Sequence, residues 1–587
     1  MAYNAPINVR HFGAVGDGVT DDTAAIRAAL HHANGKPIYF DGDFLVTEPL
    51  TGDVDAHFHG PGKITATSSL FETDGSITLR DLRITCSATV VSGVNVSRFV
   101  DYSFDGVSFD TCFRVLQYVI GGVAPYPPGA GIRSLNVSRC EFLDGDVMAI
   151  DVNAPIDDMM VEGCRFKRQK QACVYLSGAQ KERQAAKQNI RITGNLVSGV
   201  RALVGNENAI GAFVVVGSKV NISNNIITDV WTPIARMEVW GIYTKSRNMV
   251  ISGNSISMLS GSATNTIFIA IKGSHASGTG GGGLDIVVSD NQLFNDLDVF
   301  SIGVRMYGDR ILAVGNTMQG VGRPFDHDPS AVSERNEIIG NVATNPPESH
   351  KTVAVDWRVA GGSYKVAQNV FEGYDDGIRV KTSVADVDLV ELIDNTITAN
   401  NDAYSVADST SQGHVINKLI IRGGKASGQN LLRAYDDVVP NFQIDGVDVS
   451  GIDLSGAGGG YLLAFANTFV RSGSIRNLTD LSKSGAGAGT HLFLHLGVAD
   501  ETVVSLTYKA TASTSTAAGY MSKEIRETWR RSGGTLAKQG STTTVHEAKN
   551  FGDIDVSTAG PTLVFRFTTA YTAKCVADVD VQFRHHP

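Results

Sequence analysis

IRITGNLVSG (190–199), VNISNNIITD (220–229), VISGNSIS (250–257) and IVVSDNQLF (286–294) share one phrase: apolar, any, small or polar, Asn, any, apolar. It returns as LAVGNTMQ (312–319), EIIGNVAT (337–344), KVAQNVFE (365–372) and ELIDNTIT (391–398). The shared residues are Asn195, Asn225, Asn254, Asn291, Asn316, Asn341, Asn369 and Asn395, spaced 25 to 37 residues apart. Weaker copies centre on Leu82, Val107, Cys140 and Cys164 upstream and on Gly424 and Val447 downstream, about fourteen units in all. Between the copies, WGIYTKS, IFIAIKGS and FSIGVRMYG alternate with a period of two, which excludes an array of helical hairpins. Each unit has room for about three short strands. Stacked as coils of a right-handed parallel β-helix, every strand finds a partner above and below. The recurring Asn then suits a turn, where its amide bonds the equivalent Asn one coil away and its backbone tolerates the left-handed conformation.

Composition agrees with a chain of many strands and tight turns. The 587 residues include 63 Gly but only 16 Pro, and 19% are charged, which fits neither collagen nor disorder. A net charge of −10 argues against a nucleic-acid partner. No apolar run is long enough to insert in a membrane, and the first residues lack the layout of a signal peptide. The six cysteines follow no metal spacing and are read as reduced thiols, so neither a metal nor a cofactor is expected.

A solenoid must be capped at its ends. Residues 7–34, INVRHFGAVGDGVTDDTAAIRAALHHAN, supply a helix over Ala24–Ala33 with Thr20 or Asp21 as N-cap and Ile26 and Leu30 on one face. After Ser482 the Asn phrase disappears, and HLFLHLGV, TVVSLTYKATAS, TLVFRFTTAY and ADVDVQFRH alternate like antiparallel strands. The expected organisation is a cap with first strands (1–75), a β-helix of about fourteen coils (76–482) and a C-terminal antiparallel β-domain (483–587).

The cap, together with the aromatic strand IYFDGDFLV (38–46), resembles the N-terminal signature of the pectate-lyase-like β-helix superfamily, to which bacteriophage tailspike depolymerases belong. That resemblance specifies the fold and leaves hydrolase or lyase chemistry open. Residues 519–558 resemble the small C-terminal β-domains of phage tail fibres and spikes, which implies a homotrimer; the alternative is a monomeric carbohydrate-binding sandwich. The resemblance also implies a virion protein acting outside the host cell, docked through a virion adaptor protein where an attachment domain is lacking.

Chemistry on a β-helix is read by column, because equivalent residues of neighbouring coils stand about 4.8 Å apart. With apolar alternates inward, the strand before each Asn phrase turns outward Tyr243 and Lys245, Ala270 and Lys272, Arg305 and Tyr307, Asp356 and Arg358, and Arg379 and Lys381. GRPFDHDPS adds Arg323, Asp326, His327 and Asp328. Cations beside tyrosines suit an anionic bacterial surface polysaccharide; the plainer reading is a solvated sheet face. Glycoside hydrolysis needs two carboxyl groups flanking one bond, and Asp326, Asp328 and Asp356 are the candidates. Glu238 is a further one, with aromatic neighbours expected to raise its pKa. Asp296 with Asp298 is a weaker pair, and Asp144, Asp146, Asp375 and Asp376 read as turn formers. A lyase would instead use Arg305, Lys272, Tyr243, Tyr307, His275 and His327. The expected activity is an endo-glycosidase depolymerase, with a lyase, a non-catalytic receptor-binding spike and a secreted polysaccharide enzyme as alternatives.

Overall fold

The computed structural model describes residues 6–585 except 53–54, 95–97, 120–128, 177–186, 202–209, 232–237, 258–264, 273–282, 297–298, 328–333, 409–412, 436–438, 440, 453–462, 467–471, 477–488, 498–501, 515–519, 534, 550–551, 560–561 and 570–572. Asp328, Asp298, His275 and most of the joint after Ser482 therefore lie outside the described residues. The described residues form an all-β parallel solenoid with one α-helix, and the chain divides into two units, Met1–Gly308 and Asp309–Pro587.

In the first unit a coil is three strands. Ser218–Ser223, Ile226–Trp231 and Glu238–Thr244 pair in parallel with Arg247–Ser252, Ser255–Ser257 and Asn265–Ile271 of the next coil. Alternation places every second side chain in the core; Phe99–Asp105 buries Val100, Tyr102 and Phe104 and leaves the others half-buried. The interior rings stack from coil to coil, with Phe142 and Phe166 parallel at 4.5 Å.

The Asn column forms the ladder. Asn195 Nδ2 donates to Asn225 Oδ1, Asn225 to Asn254 and Asn254 to Asn291, each at 2.9 Å. The same three oxygens also accept the backbone N–H groups of Asn195, Asn225 and Asn254 at 3.0–3.1 Å. All four residues are fully buried or nearly so. One detail differs from the sequence reading. The left-handed residue is not the ladder Asn but the one before it: Gly194, Asn224, Gly253 and Asp290, with φ between 56° and 65°. The same position is left-handed at Asp81, Gly106, Arg139 and Gly163, which precede the weak copies at Leu82, Val107, Cys140 and Cys164. Cys164 stands in for a rung, its N–H donating to Asn195 Oδ1 at 2.9 Å. Cys86, Cys112, Cys140, Cys164 and Cys173 are buried free thiols.

The cap helix spans Thr23–Ala33 and buries Ile26, Ala29, Leu30 and Ala33. Its N-cap is Asp22, one residue after the expected pair, and Asp22 spends its carboxylate on the N–H groups of Val15 and Gly16. Asp21 takes over the capping bond, accepting the Thr23 N–H at 3.0 Å. Among the described residues no helix is long and apolar enough to cross a membrane.

The second unit repeats the plan. Ser363–Ala367, Val370–Tyr374 and Asp376–Thr382 pair in parallel with Leu389–Ile393, Thr396–Ala399 and Asp402–Asp408. Its ladder runs Asn316, Asn341, Asn369 and Asn395, with amide bonds of 2.8–3.0 Å. The left-handed position is again the preceding residue, from Gly315 to Gly446. The ladder ends where Gly424 takes the rung, since a Cβ there would meet the Asn395 carbonyl oxygen at 2.2 Å. Parallel pairing continues past it, Asn430–Tyr435 with Leu463–Ala466 and Asn441–Asp445 with Ser472–Arg476, and after that the sheets turn antiparallel: Ala573–His585 pairs with both Ser472–Arg476 and Thr502–Thr514, and the latter with Tyr520–Ser532.

Truncating a rung should be costly, because it orphans buried donors on the coil before. Asn225→Ala is expected to lower stability by roughly 3 kcal/mol, read as a drop in the denaturant midpoint. Cys164→Asn, which supplies an amide where Asn195 already offers an acceptor, should leave the midpoint within about 1 kcal/mol.

Candidate functional site

In the first unit the columns stack as the alternation predicts. Tyr243, Ala270 and Arg305 are direct register partners. The Lys272 N–H reaches Thr244 O and the Tyr307 N–H reaches Ile271 O, so Lys245, Lys272 and Tyr307 form the neighbouring column. Glu238 opens its strand opposite Asn265. Its Oε1 is 2.6 Å from Arg305 Nη1 and its Oε2 is 3.4 Å from Lys272 Nζ. Trp240 Nε1–H donates to Oε2 at 3.2 Å, and the indole lies 4.3 Å from the Tyr243 ring. Both Arg305 and Lys272 sit over the Tyr307 ring, at 5.2 and 5.6 Å. Trp240, Ile267, Ala270 and Ile302 form an apolar cluster beside them, with Tyr243 and Phe300 against it.

This clamp reverses the expectation for Glu238. Burial alone raises its pKa, but the Arg305 bond and charge and the Lys272 charge outweigh it, and the carboxyl ends below the ordinary range. The aromatic neighbours are present; they do not make it a general acid. Burial pushes the Tyr243 phenol up, with the Tyr175 and Glu238 charges adding to it, so it stays protonated at neutral pH. Lys245 is lowered by burial and by Lys272.

In the second unit Asp326, Asp356, Arg379, Ser405 and Arg433 form one column of register partners, and Arg358 pairs with Lys381 beside it. Arg379 grips Asp356 with Nε at 3.1 Å and Nη2 at 2.9 Å, and Lys381 Nζ lies 3.3 Å away. Arg323 Nη1 bridges the carboxylates, 3.1 Å from Asp326 and 3.4 Å from Asp356. Two oxygens tied to one nitrogen in this way stand no farther apart than the lower end of the roughly 6.5–9.5 Å of an inverting pair. Burial raises the Asp356 pKa, but Arg379, Lys381 and Arg323 together bring it below the ordinary value. Arg358 is exposed.

The remaining candidates separate. His327 is a core residue: its Nδ1 donates to the Arg358 carbonyl at 2.5 Å, its Nε2 accepts from Asn336 at 2.8 Å, and its ring packs on Trp357 and Tyr364. Asp296 is exposed. Asp144 is a turn residue with φ of 53°, as expected, and Asp375 sits in a bend. Asp376 is a correction: it begins a strand and faces Arg379 at 3.9 Å. Sequence reasoning passed over Asp402, Asn430 and Arg433. The spacing of DGIR (376–379), DAYS (402–405) and NLLR (430–433) carries the signal, since the first and last residue of each stack in two adjacent columns. Among the described residues no group of three His, Cys, Asp or Glu is placed to hold a metal.

Residues 6–96 match the family model described as rhamnogalacturonase A/epimerase, pectate lyase-like. The mannuronan C5-epimerase AlgE6 of Azotobacter vinelandii is 33% identical over 147 residues, 23% of this chain; the chain spans only 16% of that protein. Among solved structures, the tailspike of E. coli bacteriophage HK620, in complex with a hexasaccharide, covers 98% of this chain and 93% of its own at 8% identity and a TM-score of 0.34. The tailspike of Acinetobacter baumannii bacteriophage Fri1, a capsular polysaccharide depolymerase, covers 100% and 87% at 12% identity and a TM-score of 0.22.

The depressed pKa of Asp356 fixes a pH dependence. The folded state releases its proton more readily than the unfolded state, so the stabilisation is complete above the unfolded value near pH 4 and is lost as pH falls through the folded value. Thermal melts of the wild type and Asp356→Asn should therefore differ most above about pH 4 and converge in more acidic buffer.

Proposed function

From the pectate lyase-like β-helix that this chain carries, we propose that it is a phage tailspike that binds an anionic bacterial surface polysaccharide and cleaves it as an endo-glycosidase. The observation that supports this best is the pairing of Asp326 with Asp356 on neighbouring coils, joined by Arg323. Two carboxyl groups beside one bond are what glycoside hydrolysis needs. Asp356, kept ionised by its cations, is the member suited to the positive charge that develops on the sugar. Lys245, Lys272, Arg305, Tyr243 and Tyr307 in one unit, and Arg358, Arg379 and Lys381 in the other, serve as contacts for sugar carboxylates and ring faces. In this reading the C-terminal antiparallel strands close a homotrimer, an adaptor protein joins it to the virion, and the protein works outside the host cell.

A β-eliminating lyase is the second reading, and the Glu238 clamp favours it. Arg305 and Lys272 already hold a carboxylate beside the protonated phenol of Tyr243. A uronate carboxylate displacing Glu238 would be neutralised there, the Glu238 carboxylate so freed taking the C5 proton as the C4–O bond breaks and Tyr243 supplying the proton to the leaving oxygen.

Incubation with purified bacterial capsules decides between them. The hydrolase should shorten the polymer and release reducing ends without the ultraviolet absorbance of an unsaturated uronate. Appearance of that absorbance would establish the lyase; intact polymer that stays bound would leave a receptor-binding spike. Asp356→Asn is expected to slow cleavage at least ~100-fold with the solenoid still folded by circular dichroism.

A further inference from the structure

In the second unit one sheet joins the last coils to the antiparallel strands. Leu419–Arg422, Asn441–Asp445 and Ser472–Arg476 stack in parallel, and Ala573–His585 and Thr502–Thr514 continue them antiparallel. A cleft of about 610 Å³ opens over this junction, lined by the polar side chains of Asn441, Gln443, Ser474, Thr507, Asp580 and Gln582. The buried Phe442, Gly473 and Val581 lie at its base. It sits on a different sheet from the column of Asp326, Asp356 and Arg379.

Strand register sets the pattern of its lining. Gln443, Ser474, Asp580 and Thr507 are successive partners across four neighbouring strands, a row about 14 Å long at about 4.8 Å per strand. Asn441 and Gln582 stand in the next row, both opposite Ser472. Asn441 Nδ2 donates to the Asn417 carbonyl at 2.8 Å, which holds that amide in place. Among the described residues the side chains of Gln443, Ser474, Thr507 and Gln582 make no hydrogen bond, so their donors and acceptors are open to a ligand.

The charges of the lining balance: Lys418 is its one cation and Asp580 its one anion. Asp580 meets Arg476 only at 3.7 Å, and both side chains are more than half exposed. Such a balance gives no field to concentrate an anion, unlike the columns around Arg305 and Arg379. Amides and hydroxyls set donors and acceptors side by side, which suits the hydroxyl groups of an uncharged sugar, each of them both donor and acceptor. A merely solvated sheet edge is guarded by charged side chains, Lys above all. Here neutral groups without internal partners converge on a concavity within the roughly 300–1,000 Å³ of ligand sites.

We propose that this cleft binds a neutral oligosaccharide of two or three sugars and anchors a surface glycan without cleaving it. The Gln443 and Gln582 amides and the Ser474 and Thr507 hydroxyls bond the sugar hydroxyls, and the Asp580 carboxylate accepts from one more. The site goes beyond the hydrolase and lyase readings and depends on neither.

Saturation-transfer NMR on the full chain tests it, with maltotriose, cellotriose, mannotriose and chitotriose as probes and trigalacturonate as the charged control. At least one neutral trisaccharide should take up saturation from the wild type and from Asp356→Asn alike, and added salt should change this little. Gln443→Ala combined with Gln582→Ala should weaken the binding at least ~10-fold. Ser474→Trp, which fills the cleft, should abolish it. The three positions are half-buried or exposed, and an unchanged thermal midpoint checks that each variant is folded; the double alanine variant decides alone should the tryptophan not be accommodated. Binding that survives in the folded variants, or that is lost in Asp356→Asn, would overturn the site. Transfer to none of the neutral sugars, or to trigalacturonate alone, would overturn the neutral-sugar assignment.

Discussion

Asn225, Asn254 and Asn291, and likewise Asn341, Asn369 and Asn395, each offer the side-chain oxygen to two N–H groups of the coil before, one from the amide and one from the backbone. Asn225 gives its own amide hydrogens to the next rung, Asn254, and to the Ile192 carbonyl. A buried amide is expensive unless every such bond is made, and here a shift of one residue would break them all. The ladder is therefore a register lock. Because register is locked, side chains at equivalent positions of successive coils are neighbours, and the chemistry of the outer face follows from that alignment.

Such columns force charges together. Asp356 and Glu238 lie among cations and are held ionised despite burial. Asp402 and Asp151 are similarly sequestered but have weaker compensation, a neighbouring carboxylate in one case and a single Arg114 contact at 3.7 Å in the other, and their pKa values rise. One architecture thus holds some carboxyl groups below and others above the ordinary carboxylate range, depending only on which residues the adjoining coils contribute.

Several differences from the sequence reading each have a specific physical cause. Asn was expected to occupy the left-handed turn itself, yet the residue before it does so, and the rung spends its amide on the neighbouring coils. Gly253 shows the constraint at that turn, where a Cβ would meet Asn224 Oδ1 at 2.5 Å. The N-cap position fell to Asp22 rather than Thr20 or Asp21, but its carboxylate is claimed by the loop of Val15 and Gly16, so Asp21 makes the capping bond. Glu238 has its aromatic neighbours but also two cations contributed by later coils, invisible in the local segment IARMEVWGIY.

Periodicity alone determined the coils, the ladder and the outward face, since a two-residue alternation and a spaced Asn phrase are local patterns that constrain every copy alike. Tyr243 with Arg305, and Asp356 with Arg379, were legible as column mates for that reason. Local pattern could not say that Arg323 would bridge Asp326 to Asp356, that His327 would turn inward to Asn336, or that Asp402 would be buried against Asn430 and Arg433. Those depend on side-chain reach and on what the adjoining coils bring within a few ångströms. The tertiary structure decided them because desolvation and Coulomb energy are set by distances in space, not by separation along the chain.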